Sequence, residues 1–366
     1  MRLLLCGGGT AGHINPAIAI AEELRDRDKQ SKILFIGRED GLENEAIIKA
    51  GFDLKTIRAS GLKRSISVKN IKSIFLSLRA LITASKIIED FSPDIILGTG
   101  GYICWPVITA GRLKGVSTVI HESNAYPGLT TRLLAKQCDL VLLGVASTKE
   151  LLPKNVKTVF VGNPLRKDFK TTSYERARAT LGIKKDDTFI LSFGGSIGAK
   201  KINDVVVDVM KNYSSNQRDI VHYHATGRRY FEDYTESDLN IKNTKCKILP
   251  YIENMPIMLC GADIVICRSG AMTIAELSQV GTVAILIPSP NVTENHQYKN
   301  AKALFAKNAA VLIEEKELSS EGLTSAIMDI KNDKIGRKIK AKNIKAFSTP
   351  NSAKNIVDKL FMVNNG

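Results

Sequence analysis

Short apolar runs alternate with longer segments of mixed polarity along the whole chain. Runs rich in leucine, isoleucine and valine occupy 3–6, 32–36, 95–97, 118–120 and 140–143. Runs this short, and apolar throughout, predict strands buried on both faces. Between them lie stretches of helical periodicity, such as 16–25 and 69–89. The alternation predicts a parallel sheet covered by helices on both faces. After Gly162-Asn163-Pro164 the plan restarts, with a strand at 189–193, a glycine turn at 194–198 and a helix at 199–211. Further strands are expected at 220–224, 247–249, 264–267 and 283–288.

A faint internal repeat supports two halves of one design. "PDIILGTGGY" (93–102) and "ADIVICRSGA" (262–271) both read Asp, apolar strand, glycine turn. The expected fold class is α/β, with two Rossmann-like domains facing each other across a cleft. Their limits are set at 1–163 and 164–340, with the linker near 162–168. The lysine-rich 331–345 reads as a solvated helix. The end of the chain, 341–366, contains an amphipathic stretch at 352–363 that has the pattern to pack back on the first domain. Ligands of such sheets bind outside the carboxyl ends of the strands. Both glycine turns lie there, so the site is expected between the domains.

The first turn, "CGGGTAGHINP", contains Gly7-x-Gly9-x-x-Gly12, the letter pattern of a dinucleotide fingerprint. That motif needs an acidic residue about 20 positions on. Glu39 and Asp40 lie somewhat further, and a nicotinamide oxidoreductase leaves the second glycine loop without a task. A glycine turn feeding a helix also suits a diphosphate, because the helix start offers free N–H groups and partial positive charge. His13 follows Gly12. The helix dipole disfavours an imidazolium there, so a neutral imidazole is expected, either as a general base or as a hydrogen-bonded helix-start residue. His121 and Glu122 end the strand "STVI", with Asn124 just after. In 267–301, Ser269-Gly270 ends a strand and 271–280 reads as a helix holding Glu276, whose carboxylate suits ribose hydroxyls. Glu294-Asn295-His296-Gln297 then opens a further helix, with Thr293 as its expected N-cap.

Length and charge narrow the class. The 366 residues suit two domains, and 44% hydrophobic with 24% charged residues is ordinary for a globular chain. The formal charge of +15 points to an anionic partner. Nucleic acid is not favoured, since the basic residues are scattered with few aromatics among them. The six cysteines form no C-x-x-C pair, which fits a reducing compartment better than a disulfide framework or zinc site. The apolar stretch before Cys6 is shorter than a secretory core of about 7 residues, and no run reaches the roughly 18 of a membrane span.

In this order, "GGGTAGHINP", "GTGGY", "HESNAYPG", "GNPLR", "SFGGSIGA" and "RSGAMTIAEL…PSPNVTENHQ" resemble the MurG family of N-acetylglucosaminyltransferases. The resemblance runs from about residue 1 to 300, and the combination is specific where no single motif is. Ala11 stands where many relatives have glycine. The resemblance implies a GT-B fold and an inverting transfer, with no obligatory metal and no cofactor. It implies UDP-N-acetylglucosamine as donor and undecaprenyl-diphosphoryl-N-acetylmuramoyl-pentapeptide, lipid I, as acceptor.

By the same similarity, Thr10, Ala11 and Gly12, with Asn124, lie on the donor-sugar side. Arg166, Ser196 and Ile252 line the nucleotide. Ala271, Met272, Thr273, Ile274, Ala275 and Glu276 hold uridine and ribose, and Gln297 binds the sugar. The acceptor C4 hydroxyl needs a base, for which His13 comes first, with His121 or Glu122 in reserve. The departing UDP needs the helix start after Gly195-Ser196 and a cation such as Arg166 or Arg268.

A polyprenyl acceptor also places the enzyme at an anionic bilayer surface, as a peripheral protein of the cytoplasmic face of the inner membrane. In 69–88, Ile71, Ile74, Phe75, Leu78, Leu81 and Ile82 form one helical stripe, edged by Lys72, Arg79 and Lys86 and preceded by Lys63 and Arg64. Two other readings remain open at this level, a UDP-sugar epimerase of the same fold and a non-catalytic nucleotide-sugar binder.

Overall fold

Leu3, Leu4, Leu5 and Cys6 are completely buried, because the strand that carries them, β1 (Arg2–Cys6), is covered on both faces. Leu3 and Leu5 meet Ala17 and Ala21 of the Ala11–Arg27 helix and Ile356 and Leu360 of the Ser352–Asn365 helix. Leu4 and Cys6 turn the other way, onto Ala80, Ala84 and Ile88 of the Val68–Phe91 helix and Val107 of the Cys104–Leu113 helix. The side-chain period of two makes one apolar run serve two cores. Each buried leucine contributes about 1.5–3 kcal/mol.

The computed structural model describes the chain apart from Thr10, Asp40, Leu42, Glu43, 60–67, Ser196, 214–218, 235–244 and Gly366. It describes no side chain for Ala11, 68–75, Thr293 or Asn365. Of the expected functional residues, Thr10, Ser196, Lys63 and Arg64 therefore lie outside the described residues, as does Asp40. So do the side chains of Ala11, Ile71, Lys72, Ile74, Phe75 and Thr293.

The chain divides into two units, Met1–Arg166 with Asn351–Gly366, and Lys167–Pro350. The first holds seven parallel strands in the order β3-β2-β1-β4-β5-β6-β7. They are β2 (Lys32–Arg38), β3 (Asp53–Ile57), β4 (Ile95–Gly98), β5 (Ser117–Glu122), β6 (Leu140–Leu143) and β7 (Thr158–Phe160), with β1 near the middle. The second holds six, β8 (Thr188–Phe193), β9 (Ile220–Ala225), β10 (Cys246–Leu249), β11 (Ile264–Cys267), β12 (Val283–Leu286) and β13 (Val311–Leu312). Their order is β10-β9-β8-β11-β12-β13. The chain after Ser352 returns to the first unit, where Arg27 Nη1 lies 2.7 Å from Asp358 Oδ1.

The repeated motif has a topological meaning. β4 pairs with β1, the first strand of its unit, and β11 pairs with β8 in the same way. The strand order reverses between each of these pairs, which marks the carboxyl ends of β1, β4, β8 and β11 as the ligand-binding edges.

The structure departs from the sequence reading at the margins. β3 carries no continuous apolar run, while β7 and β13 are short apolar stretches that the sequence reading did not assign as strands. They are half-exposed, and β13 has two residues. The first helix starts at Ala11, five residues before Pro16, which sits inside it. His13 is thus in the first helical turn rather than ahead of it. The helix expected from Glu294 begins at His296, with Asn295 at its N-cap position. Glu294 and Asn295 adopt left-handed φ of 52° and 51°, so neither extends the helix. In the Val68–Phe91 helix the buried line is Ala80, Ala84 and Ile88, whereas Leu78 and Ile82 are 52% and 59% exposed. Leu81 is half-buried.

Candidate functional site

In the first unit, the turns after β1 and β4 touch. Gly8 N donates to Gly100 O at 3.3 Å. Gly100 and Gly101 have φ of +116° and +85°, a region that favours glycine. A Cβ on Gly100 would strike the His13 imidazole, and one on Gly101 would strike Gly8 O. The glycines are the space in which the imidazole and the two turns meet.

His13 Nδ1 lies 3.2 Å from Thr99 O. A carbonyl only accepts, so Nδ1 carries the proton and the neutral ring keeps its lone pair on Nε2. Thr99 Oγ1 donates back to His13 O at 2.7 Å. The ring therefore has the two features asked of a general base, a fixed tautomer and a basic nitrogen, and it also makes the helix-start hydrogen bond to a carbonyl.

His121 and Glu122 have different work. His121 is fully buried. Its Nε2–H donates to Gly162 O at 3.0 Å, and Nδ1 lies 3.4 Å from Ser123 Oγ. Burial pushes its pKa below the usual value. No nitrogen of His121 faces solvent, so the ring anchors the linker rather than standing in reserve as a base. Glu122, 5% exposed, accepts from Asn124 N and Nδ2 through Oε1, each at 2.9 Å. Its Oε2 accepts from Gly128 N at 2.9 Å and Thr131 Oγ1 at 2.6 Å. Four donors saturate this carboxylate. It shapes the 123–128 turn and orients Asn124, and the reserve-base reading of Glu122 gives way to that role.

In the second unit, the turn after β8 is backed by the turn after β9. Gly198 has φ +85°, and a Cβ on it would strike Thr226 O. A Cβ on Gly227 would come 2.6 Å from Gly198 N. Behind the turns runs a buried polar chain. His224 Nε2–H donates to Asn203 Oδ1 at 3.2 Å, and Asn203 Nδ2 donates to Thr226 O at 2.9 Å. His224 Nδ1 must then accept from Ser192 Oγ at 2.8 Å, and Ser192 Oγ in turn accepts from His222 Nε2 at 2.8 Å. Sequence reasoning missed this chain. Its one visible sign was Asn203 within the otherwise apolar face of a helix.

The Ala271–Val280 helix starts at the carboxyl end of β11. Its N-cap is Gly270, which supplies no side-chain acceptor, so the first N–H groups are left for a ligand. Ser269 Oγ donates to Gln297 O at 2.8 Å, and Gln297 Oε1 accepts from Ser289 N at 2.9 Å. These bonds tie the strand end, the proline loop and the next helix together. Met272, Thr273, Ile274 and Ala275 are half-buried, while Ala271 is buried.

Glu276 is 8% exposed and has no hydrogen-bond partner among the described residues. Burial pushes its pKa up to about 8. A largely buried carboxyl group without a hydrogen-bond partner is costly, and such groups concentrate at functional sites.

The remaining expected residues separate. Ile252 is buried, 4% exposed, in the turn after β10. Arg268 Nη1 donates to Ile287 O at 3.1 Å, and the guanidinium is ion-paired with Glu315. Arg268 is thereby held to Ile287 and Glu315. Arg166 is the last residue of the first unit, with Nε 3.7 Å from Glu22 Oε1.

Comparison with known proteins agrees across both units. The glycosyltransferase family 28 N-terminal domain matches residues 3–143, and the family's C-terminal domain matches 189–356. A protein from Acetivibrio thermocellus named UDP-N-acetylglucosamine--N-acetylmuramyl-(pentapeptide) pyrophosphoryl-undecaprenol N-acetylglucosamine transferase is 39% identical over 359 residues. That alignment spans 98% of this chain and 97% of the relative. Among solved structures, Acinetobacter baumannii MurG superposes with a TM-score of 0.73 at 25% identity, covering 99% of each chain. A putative UDP-N-acetylglucosamine 2-epimerase from Listeria monocytogenes has a TM-score of 0.70 over 98% of this chain and 95% of its own. At 12% identity it shares the fold alone.

Proposed function

The chain belongs to glycosyltransferase family 28, and from that premise we infer that it is the transferase completing the lipid-linked peptidoglycan precursor. It transfers N-acetylglucosamine from UDP-N-acetylglucosamine to the C4 hydroxyl of undecaprenyl-diphosphoryl-N-acetylmuramoyl-pentapeptide. Relatives that carry this name span nearly the whole chain.

The structural observation that carries the assignment is Glu276. A ribose diol brings hydroxyls that donate to its oxygens, so the donor replaces the missing partner. The same helix presents its uncapped N-terminus, Ala271 and Met272. Backbone N–H groups there stabilise the charge that grows on the diphosphate as the anomeric C–O bond breaks. Gln297, Asn124 and Gly12 contribute to sugar recognition, and the turn at 194–198 to the diphosphate.

On the first unit, His13 is the base. Its Nε2 accepts the proton of the acceptor hydroxyl as oxygen bonds to the anomeric carbon, and UDP leaves from the opposite face. That single displacement inverts the anomeric configuration. Thr99 O holds Nδ1–H throughout, which orients the ring and stabilises the imidazolium formed.

The Val68–Phe91 helix is the bilayer contact. Leu78 and Ile82 face outward, with Arg79 and Lys86 exposed beside them. No helix among the described residues is long and apolar enough to cross a membrane, and an apolar, cationic helix face suits peripheral binding at the cytoplasmic face.

The test is transfer of labelled sugar from UDP-N-acetylglucosamine to lipid I in detergent. The expected product is a lipid-linked disaccharide with release of UDP. Release of a free epimerised sugar, or tight donor binding with no turnover on lipid I, would overturn the assignment.

A further inference from the structure

The second unit has a cavity of about 480 Å³ at the end of its sheet remote from the glycine turns. Ala262 and Asp263 precede β11 there, and Thr282 and Val283 begin β12. The Ala271–Val280 helix spans the sheet, so its last residues, Gln279 and Val280, reach this cavity. Ten residues at 1.5 Å each separate the two ends by about 15 Å.

The cavity's charges are not balanced. Asp263 is its one carboxylate. That group already accepts from Phe189 N at 2.9 Å and Tyr174 Oη at 3.1 Å, and it pairs with Arg178 at 2.9 Å and Arg337 at 3.6 Å. Lys170, Lys338 and Lys345 also line the cavity, are exposed, and have no acidic partner among the described residues. The Met255–Gly261 and Ala271–Val280 helices end here, at Ala262 and Gly281. Each helix C-terminus offsets about half a charge. The three ammonium groups have only the partial charges of helix ends against them, so the mouth is net positive.

Part of the wall is apolar. Phe169 and Val283, both buried, line it, with Val280 and the half-exposed Tyr174 ring beside them. On the Lys334–Lys345 helix, Ile335 and Ile339 are 75% and 47% exposed next to Lys338. A phosphate at the lysines therefore has hydrocarbon or ring surface within reach.

We propose that this cavity is a second anion site, binding the phosphoryl group of an amphiphilic phosphate ester independently of the donor site. The phosphoryl oxygens take hydrogen bonds from Lys170, Lys338 and Lys345, and the organic part lies against the apolar wall. Such a group comes either as a soluble phosphate or as the headgroup of a bilayer lipid.

The test is lysine acetylation footprinting of the full chain, saturated with UDP so that the donor site is occupied. One arm adds inorganic phosphate against chloride at equal ionic strength. The other adds phosphatidylglycerol vesicles against phosphatidylcholine vesicles. Acetylation of Lys170, Lys338 and Lys345 should fall at least about threefold in one arm, with Lys184 and Lys307 unchanged. Protection by phosphate identifies a soluble ligand, and protection by vesicles alone a lipid headgroup. In the Lys338→Glu, Lys345→Glu double variant, protection of Lys170 should disappear while the circular dichroism spectrum is retained. No protection in either arm, equal protection of Lys184 and Lys307, or undiminished Lys170 protection in the double variant would each overturn the proposal.

Discussion

Thr99 O and His13 Nδ1, 86 positions apart in the chain, meet at 3.2 Å, and this one bond decides which nitrogen of the imidazole is basic. As the base, His13→Ala should lower turnover roughly 10²–10⁴-fold with the donor KM little changed. His13→Asn keeps a donor for Thr99 O, so it should recover thermal stability without recovering turnover. Normal turnover in either variant, with only the melting temperature lowered, would make His13 a structural residue.

Glu276 links donor binding to pH. Its pKa is about 8 in the folded chain and ordinary when unfolded. Between pH 4.5 and 8 the unfolded chain has released this proton and the folded chain has kept it, so stability falls as pH rises through that window. The loss is at most roughly 1.4 kcal/mol per pH unit. Glu276→Gln should unfold at higher urea than the parent at pH 8, and the two should converge toward pH 5. Glu276→Ala should weaken UDP binding by about 1.5–3 kcal/mol. Parallel stability curves for parent and Glu276→Gln, together with unchanged UDP affinity, would remove Glu276 from the site.

The buried histidines give the opposite sign. Burial lowers His224 to about 4 and holds His222 well below the usual histidine value. Below the usual histidine value the unfolded chain binds protons that the folded chain refuses, so stability is lost as pH falls from about 6.5. His222 Nδ1 has no partner among the described residues, so His222→Phe should flatten this acid limb at little cost near pH 8. Hydrogen exchange at 225–227 should quicken in Asn203→Leu, which frees Thr226 O and removes the acceptor of His224. An acid limb unchanged by His222→Phe would show that other groups set it.

Bilayer binding should fail when the outward face of the Val68–Phe91 helix is changed. Arg79→Glu with Lys86→Glu should reduce co-sedimentation with anionic vesicles, since each cation contributes about 1 kcal/mol near anionic lipid. Leu78→Ser with Ile82→Ser should reduce it at high salt as well. Equal binding to neutral and anionic vesicles, or no loss in either variant, would move the docking surface elsewhere.

Central strands were legible because burial on both faces writes itself into consecutive residues. Leu3 to Cys6 and Ile264 to Cys267 are buried at every position. β3 was not legible, since Asp53, Lys55 and Thr56 are exposed along it. Pro16 misled for a physical reason. Proline is most at home in a first helical turn, but here it lies inside the helix, and His13 moves into the helix with it.

By itself the sequence determined the two-part α/β plan, the two glycine turns and the order of motifs that marks the family. These depend on neighbours in the chain and on residues whose chemistry is local, such as glycine at positive φ. The tertiary structure decided what each polar side chain does, because folding, and not position in the chain, sets which partners surround it. His121 reaches Gly162 and is enclosed. Arg268 reaches Glu315 and is neutralised. Glu122 gathers four donors from Asn124, Gly128 and Thr131 and is saturated. Glu276 is just as buried and gathers none, and no periodicity distinguishes the two acids: a carboxylate's availability is set by the donors that folding places around it.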